Sequence, residues 1–227
     1  MRLAGPMQSW GVMSRFSRRD TGKEPSKSGV VGLICAAMGI DREDDGHPDF
    51  RKLAEARLGI RVIREGILQS DYHTASNIAK AGGGTKDTEL STRFYLADAD
   101  FIAALESADR DLLVRVHEAL KRPVWQLFLG RKAFVPHLPV FISDEPMIFD
   151  NEDLAEVLKS HGLLDRLGIS SGHQDLDVRQ RVILDDPAGS EIRQDVPLSF
   201  GKRQFTSRRV NTTYAFDTRG DNYGTLS

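Results

Sequence analysis

Apolar positions along this chain follow two periods. From Val30 to Met38 they are nearly continuous. Val30, Val31, Leu33, Ile34, Ala37 and Met38 cover most sides of a helix, which predicts a buried one. Ser26 or Ser28 can cap its first turn, and Gly39 closes it. The stretch Arg110 to Leu120 carries Leu112, Leu113, Val116, Ala119 and Leu120 on one stripe, with Asp109 as cap and Pro123 as stop, and predicts an amphipathic helix. A shorter helix is expected over Phe50 to Ala56. Strand spacing recurs elsewhere. Met1 to Gly5 reads as the tail of a first strand, Leu58 to Leu68 as a β-branched strand, and Arg93 to Phe101 as a strand alternating Ala97, Ala99 and Phe101 against Asp98 and Asp100. Val124 to Leu129 is expected as a further strand before the turn Gly130-Arg131-Lys132.

That order, strand–helix–strand–insert–strand–helix–strand, predicts an α+β chain on the ferredoxin-like βαββαβ plan over residues 1–138. The insert, residues 70–92, is polar, contains Gly82-Gly83-Gly84 and shows no core-building pattern. So long a silent connection is either functional or without fixed structure. Residues 139–227 read as a smaller β-rich part. It has a helix over Asn151 to Ser160, a hairpin of Arg181–Leu184 with Glu191–Val196 around Pro187-Ala188-Gly189, further strand from Gln204 to Phe216, and a loose tail from Arg219.

Composition narrows the class. The chain has 227 residues, 40% hydrophobic and 28% charged, which is ordinary for a globular protein. No apolar run approaches a membrane-spanning length and no signal peptide is seen, so no membrane is expected. Cys35 is the only cysteine, which excludes an intrachain disulfide and favours a cytoplasmic setting. The formal net charge of −2 does not itself favour nucleic acid. The charge is segregated, however. Residues 1–27 hold Arg2, Arg15, Arg18, Arg19, Lys23 and Lys27 against Asp20 and Glu24. Lys202 to Arg209 has four cations and no acid, while acids gather at Asp41 to Asp45 and at Asp185-Asp186. Such a split suits one RNA-facing and one protein-facing side, and is equally what solvated loops look like.

No catalytic or metal signature stands out. The six histidines, His47, His73, His117, His137, His161 and His173, never share an i, i+4 spacing, so no metal site is expected, and no motif calls for a cofactor. What remains is phosphate chemistry. Lys27 and Ser28 sit at the first turn of the predicted helix, where free amides and an ammonium can hold a phosphate. The alternative is a plain cap. Arg131 and Lys132 follow a glycine that lets backbone approach a ligand, or form an ordinary basic turn. Arg203, Gln204, Phe205, Arg208 and Arg209 mix cations, hydrogen-bonding groups and one aromatic, with Phe205 as readily core as platform. Trp10 reads as a packing residue. Tyr72 and His73, with Lys80, offer a general base and a cation for RNA cleavage, but neighbours in a strand point to opposite faces. His117 and Lys121 form a second such pair, better read as a solvated helix face.

Six stretches resemble, in order, the CasD family of type I-E CRISPR Cascade subunits: Arg2-Leu3-Ala4-Gly5-Pro6-Met7-Gln8 with Trp10-Gly11; Ser28-Gly29 through Gly39-Ile40; Asp71-Tyr72-His73-Thr74; Arg93-Phe94-Tyr95-Leu96 with Asp98-Ala99; Leu129-Gly130-Arg131-Lys132; and Arg203-Gln204-Phe205 with Ser207-Arg208. The resemblance implies an RRM-like domain of the RAMP superfamily with a thumb-like insert at 70–92. It implies a non-catalytic subunit in antiviral defence that holds the 5′ handle of the crRNA, with Arg93 contacting the guide. The partners it implies are the crRNA, the Cascade backbone subunit and the large PAM-reading subunit, and it allows a contact with target DNA. Relatives in type I-C systems cut RNA with a tyrosine, lysine and histidine constellation, so a metal-independent endoribonuclease processing CRISPR precursor RNA is the alternative. Family members carry apolar residues ahead of Arg-Leu-Ala-Gly-Pro, so the first strand is expected to be short here, and central in the sheet.

Overall fold

The computed structural model describes residues 1–11, 17–80, 82–169 and 179–215. Arg15, His173, Phe216 and the expected tail from Arg219 lie outside them. The chain is mixed α and β. One sheet of six strands is built from β1 (Arg2–Ala4), β4 (Arg57–Arg64), β7 (Asp100–Glu106), β8 (Gln180–Asp185), β9 (Glu191–Ser199) and β10 (Gln204–Ala215), in the order β1-β7-β4-β8-β10-β9. A second sheet holds β2 (Met7–Gln8), β3 (Arg18–Arg19), β5 (Ile67–Ala79) and β6 (Thr85–Ala97), with β6 between β5 on one side and β2 and β3 on the other.

All four predicted helices form. The first, α1 (Lys27–Met38), takes Ser26 as its cap, whose Oγ accepts from the Gly29 amide at 3.2 Å, and it ends at Gly39 in the left-handed region with φ 73°. α2 (Pro48–Glu55) follows it, and α3 (Arg110–Lys121) is capped by Asp109, whose carboxylate accepts from the Leu112 amide at 2.9 Å. These three helices pack on one face of the large sheet, where Leu58, Ile60, Val62, Phe101, Ala103, Ile183 and Val210 point. The alternate residues Ile102, Val182 and Leu184 point to the other face and meet α4 (Leu154–Lys159) and α5 (His161–Arg166). Arg61 also faces that way and is 1% exposed. Its guanidinium donates to the carbonyls of Leu158 and Ser160 at the end of α4 and to Gln180 Oε1.

Four expectations need correction. The strand expected over Val124 to Leu129 does not form, so the βαββαβ plan is not completed. After Pro123 the amides of Val124 and Trp125 turn to the carbonyls of Ala37 and Ala36, at 2.9 and 3.2 Å, and satisfy the end of α1 instead of a sheet edge. The first strand is at the sheet edge, not its centre, and is three residues long. Leu58–Leu68 and Arg93–Phe101 are each two strands in different sheets. Both break at one joint, with Gly66 at φ 75° and Asp98 at φ 56°, and a Cβ on Gly66 would lie 2.7 Å from that of Ala99. Finally, β8 and β9 are not a hairpin, because β10 lies between them and pairs with both. The strands after residue 139 thus extend the first sheet across β4.

The insert at 70–92 is the outer part of the β5–β6 hairpin. Its register runs from Ile67 opposite Ala97 to Ala79 opposite Thr85, with the glycines at its turn. Its outward residues are mostly exposed, which explains why it shows no core pattern.

Candidate nucleic-acid interface

Three glycines place the loops at the base of the hairpin. A Cβ on Gly130, at φ 91°, would lie 1.7 Å from the Ser9 carbonyl oxygen, and one on Gly5 would lie 2.9 Å from Leu129 Cδ1. Gly130 is therefore pressed backbone to backbone against Ser9, and Gly5 against the Leu129 side chain and the Val135 carbonyl. On the other side of this contact Trp10 is buried, donates from Nε1 to Gln8 Oε1, and leaves no room for a side chain at Gly29. Gln8 is buried as well and donates to the carbonyls of Leu3 and Ala99, tying this loop to the joint between the sheets.

Guanidiniums gather on this frame. Register sets Arg19 of β3 beside Arg93 of β6, and Asp71 of β5 on the far side of Arg93. Arg131 reaches in from its turn, donates to the Phe94 carbonyl at 2.9 Å and lies over the Phe134 ring. Burial pulls its pKa below the ordinary arginine value, and the charges of Arg93 and Arg19 pull it further, against the smaller effects of Asp20 and Asp71. Arg18 lies over the Phe94 ring at 4.7 Å, and Arg93 donates to Ser91 Oγ. Among the described residues none of Arg18, Arg19, Arg93 and Arg131 forms an ion pair. Lys132 is exposed on the same turn. Arg19, Arg93 and Arg131 are thus close enough to act on one another with no carboxylate paired to any of them among the described residues, while Arg18 lies on the other face of the sheet.

Lys27 and Arg208, expected to bind phosphate, are held in ion pairs, although Arg208 lines a groove with Arg203, Gln204 and Phe205. Lys27 is 4% exposed, and its ammonium pairs with Asp185 at 3.0 Å. Arg208 holds Asp195 through two hydrogen bonds of 2.7 and 2.8 Å and also pairs with Asp185. The Lys27 amide donates to Asp195 at 2.8 Å, so the anion at the start of α1 is the protein's own carboxylate. Ser28 meets the Ser26 hydroxyl at 3.3 Å. The Lys27 ammonium and amide are thus taken up by the protein's own carboxylates, and Lys27 and Arg208 share Asp185 instead of standing as unpaired cations.

Arg203, Gln204 and Phe205 are exposed and line a groove of about 1010 Å³ whose other wall is Trp10, Asp20 and Thr21. Because Asp20 also acts on Arg131, the groove abuts the arginine cluster. Arg209 is exposed and donates to the Gly189 carbonyl at 3.0 Å.

The proposed cleavage groups are scattered. Tyr72 and His73 occupy opposite faces, pairing with Thr92 and Ser91. Lys80 is at the hairpin turn, seven residues or about 20 Å of strand from His73. His117 and Lys121 both bind the Asp144 carbonyl. Among the described residues no group of histidine, cysteine and carboxylates could hold a metal. In sequence Arg18 and Arg19 are two of the six cations of residues 1–27 and carry no motif of their own. Nothing in the sequence shows that the two-residue strand they form is parallel to β6.

Residues 1–211 match the family model of CRISPR-associated protein (Cas_Cas5). The chain belongs to that family. It is 32% identical, over 155 residues, to the CRISPR system Cascade subunit CasD of Escherichia coli (strain K12), a match covering 63% of this chain and 68% of the relative. A solved structure described as "Crystal structure of Cas protein" is similar at 35% identity and TM-score 0.72, covering 95% of this chain and 93% of its own. Another, from a "CRISPR RNA-guided surveillance complex", is similar at 29% identity and TM-score 0.72, covering 95% and 88%. The matched Cas_Cas5 region thus includes the arginine cluster, the hairpin and the groove.

Proposed function

We propose that this chain is the subunit of a CRISPR RNA-guided surveillance complex of the Cascade type that holds the 5′ handle of the crRNA without cutting it. The observation that carries the reading is the meeting of Arg19, Arg93 and Arg131, drawn from three separate segments and, among the described residues, left without ion pairs, at the base of a protruding hairpin. Like charges held this close repel one another, and a polyanion relieves that cost. Lys132, Arg203, Gln204 and Phe205 extend the surface, and the hairpin serves as the thumb. Membership of the family and the likeness to a Cascade subunit support a setting among the other subunits of such a complex; in this reading its neighbours are the backbone and PAM-reading proteins, with a contact to target DNA. The strands β1, β7 and β4 with α1 and α3 form the ferredoxin-like part of this reading. Its place is the cytoplasm, in keeping with a single cysteine and, among the described residues, no helix long and apolar enough to cross a membrane.

Binding of labelled handle RNA across a salt series tests this. For single-stranded RNA the logarithm of affinity falls with the logarithm of salt at about −0.7 per phosphate neutralised. Replacing Arg19, Arg93 and Arg131 together with alanine is expected to flatten that slope by about 2. Equal affinity at low and high salt, or an unchanged slope in the triple variant, would refute the reading.

A further inference from the structure

The two faces of the hairpin base differ in chemistry. Strand register puts Asp71, His73, Ser91, Arg93 and Arg19 on one face and Tyr72, Thr92, Phe94 and Arg18 on the other. On that second face Tyr72 and Arg18 flank Thr92 from opposite sides, and Phe94 is the next residue of β6 on the face, diagonal to Tyr72 and within reach of an aromatic ring. Arg18 already lies over the Phe94 ring, its Cζ 4.7 Å from the centroid. Tyr72 is 67% exposed, and its hydroxyl has no partner among the described residues.

We propose that Tyr72, Phe94 and Arg18 form a stacking platform for one unpaired nucleobase of the bound RNA, on the face opposite the phosphate-holding guanidiniums. This rests on the RNA-binding reading above and deepens it. A nucleobase is flat and apolar on its faces, and it stacks on tyrosine, phenylalanine and guanidinium planes alike; these three side chains offer all of those surfaces together. The phosphates are within reach. Among the described residues β5 has no strand on its outer side, so a nucleotide can pass round that edge from the Arg19–Arg93–Arg131 face to the Tyr72 face. The division of labour follows: the guanidiniums supply salt-dependent affinity, and the platform fixes which nucleotide is turned out.

The test uses the full chain with handle RNAs, each carrying either one 2-aminopurine or one abasic site. At one position 2-aminopurine fluorescence is expected to be quenched on binding. Tyr72→Ala should abolish that quenching and weaken intact RNA about tenfold, while leaving unchanged the affinity for RNA abasic at that position and the salt slope. Tyr72→Phe should keep both quenching and affinity. Equal weakening of intact and abasic RNA, no position whose quenching depends on Tyr72, or a Tyr72→Ala variant impaired only in joining other protein subunits would each overturn the platform. Those outcomes leave the handle-binding reading standing, whereas loss of salt-dependent binding in the wild-type chain removes both.

Discussion

Asp195 joins three elements, and removing it should unfold the protein more readily than any surface change. Its carboxylate is 3% exposed and accepts from Arg208 Nε at 2.7 Å, Arg208 Nη2 at 2.8 Å and the Lys27 amide at 2.8 Å. Replacement by alanine leaves the Arg208 charge buried with Asp185 as its only carboxylate, and Asp185 is already shared with Lys27. Stranding a buried charge costs roughly 3–5 kcal/mol. For a chain of this size that is a fall in Tm of roughly 6–20 °C, followed by thermal and urea unfolding. The paired change Arg208→Met with Asp195→Leu should cost less than the two single changes summed, since each removes the charge the other strands. There is a pH signature too. Burial alone would raise the Asp195 carboxyl; the Arg208 hydrogen bonds and charge and the Lys27 amide outweigh it and hold it below the usual carboxylate range. The stability it contributes is therefore complete above the unfolded value, about pH 4, and is lost as pH falls through the lower folded one. Asp195→Asn should remove that part of the acid dependence. Single changes costing under about 1 kcal/mol, or strictly additive ones, would refute the reasoning. An RNA salt slope in Arg208→Met flattened as much as in Arg93→Ala would show that Arg208 touches RNA after all.

Two further outcomes follow from the site. Gly130→Ala sets a Cβ against the Ser9 carbonyl at a positive φ, and should cost about 2 kcal/mol or more in urea unfolding while weakening RNA binding through misplacement of Arg131; a neutral substitution would mean that the turn moves freely. Labelled repeat RNA incubated with the full chain in EDTA should remain uncut, because Tyr72, His73 and Lys80 do not converge; a defined product that vanishes in His73→Ala would establish an endoribonuclease.

The elements most legible in the sequence are those whose signal is local. Caps at Ser26 and Asp109, the glycine stop at Gly39 and the stripe of Leu112, Val116 and Leu120 each follow from residues within a few positions of one another. What was missed depends on distant partners. Val124 to Leu129 has strand composition, yet the open carbonyls at the end of α1 take the amides of Val124 and Trp125. The Pro187-Ala188-Gly189 turn does return the chain, but by a gap that admits β10, and no local pattern encodes that third strand. The breaks at Gly66 and Asp98 are single residues inside otherwise continuous strand patterns. Their meaning appears only when both are seen at one joint.

The same reasoning separates the cations of the site. In sequence Lys27, Arg208, Arg93 and Arg131 are equivalent: each is a positive charge in a polar stretch, next to a glycine or a hydroxyl. Folding distinguishes them by what arrives opposite. Asp185 and Asp195, on β8 and β9, come to Lys27 and Arg208 from more than 150 residues and from 13 to 23 residues away respectively, and neutralise them. No carboxylate pairs with Arg93 or Arg131 among the described residues; the nearest strong charges they meet include each other. A carboxylate spent on a buried cation stabilises the fold, and a cation left among its own kind is available to a polyanion. The acid count alone therefore misleads. The net charge of −2 is the sum of a core that consumes its pairs internally and a surface that keeps a positive cluster where the hairpin begins.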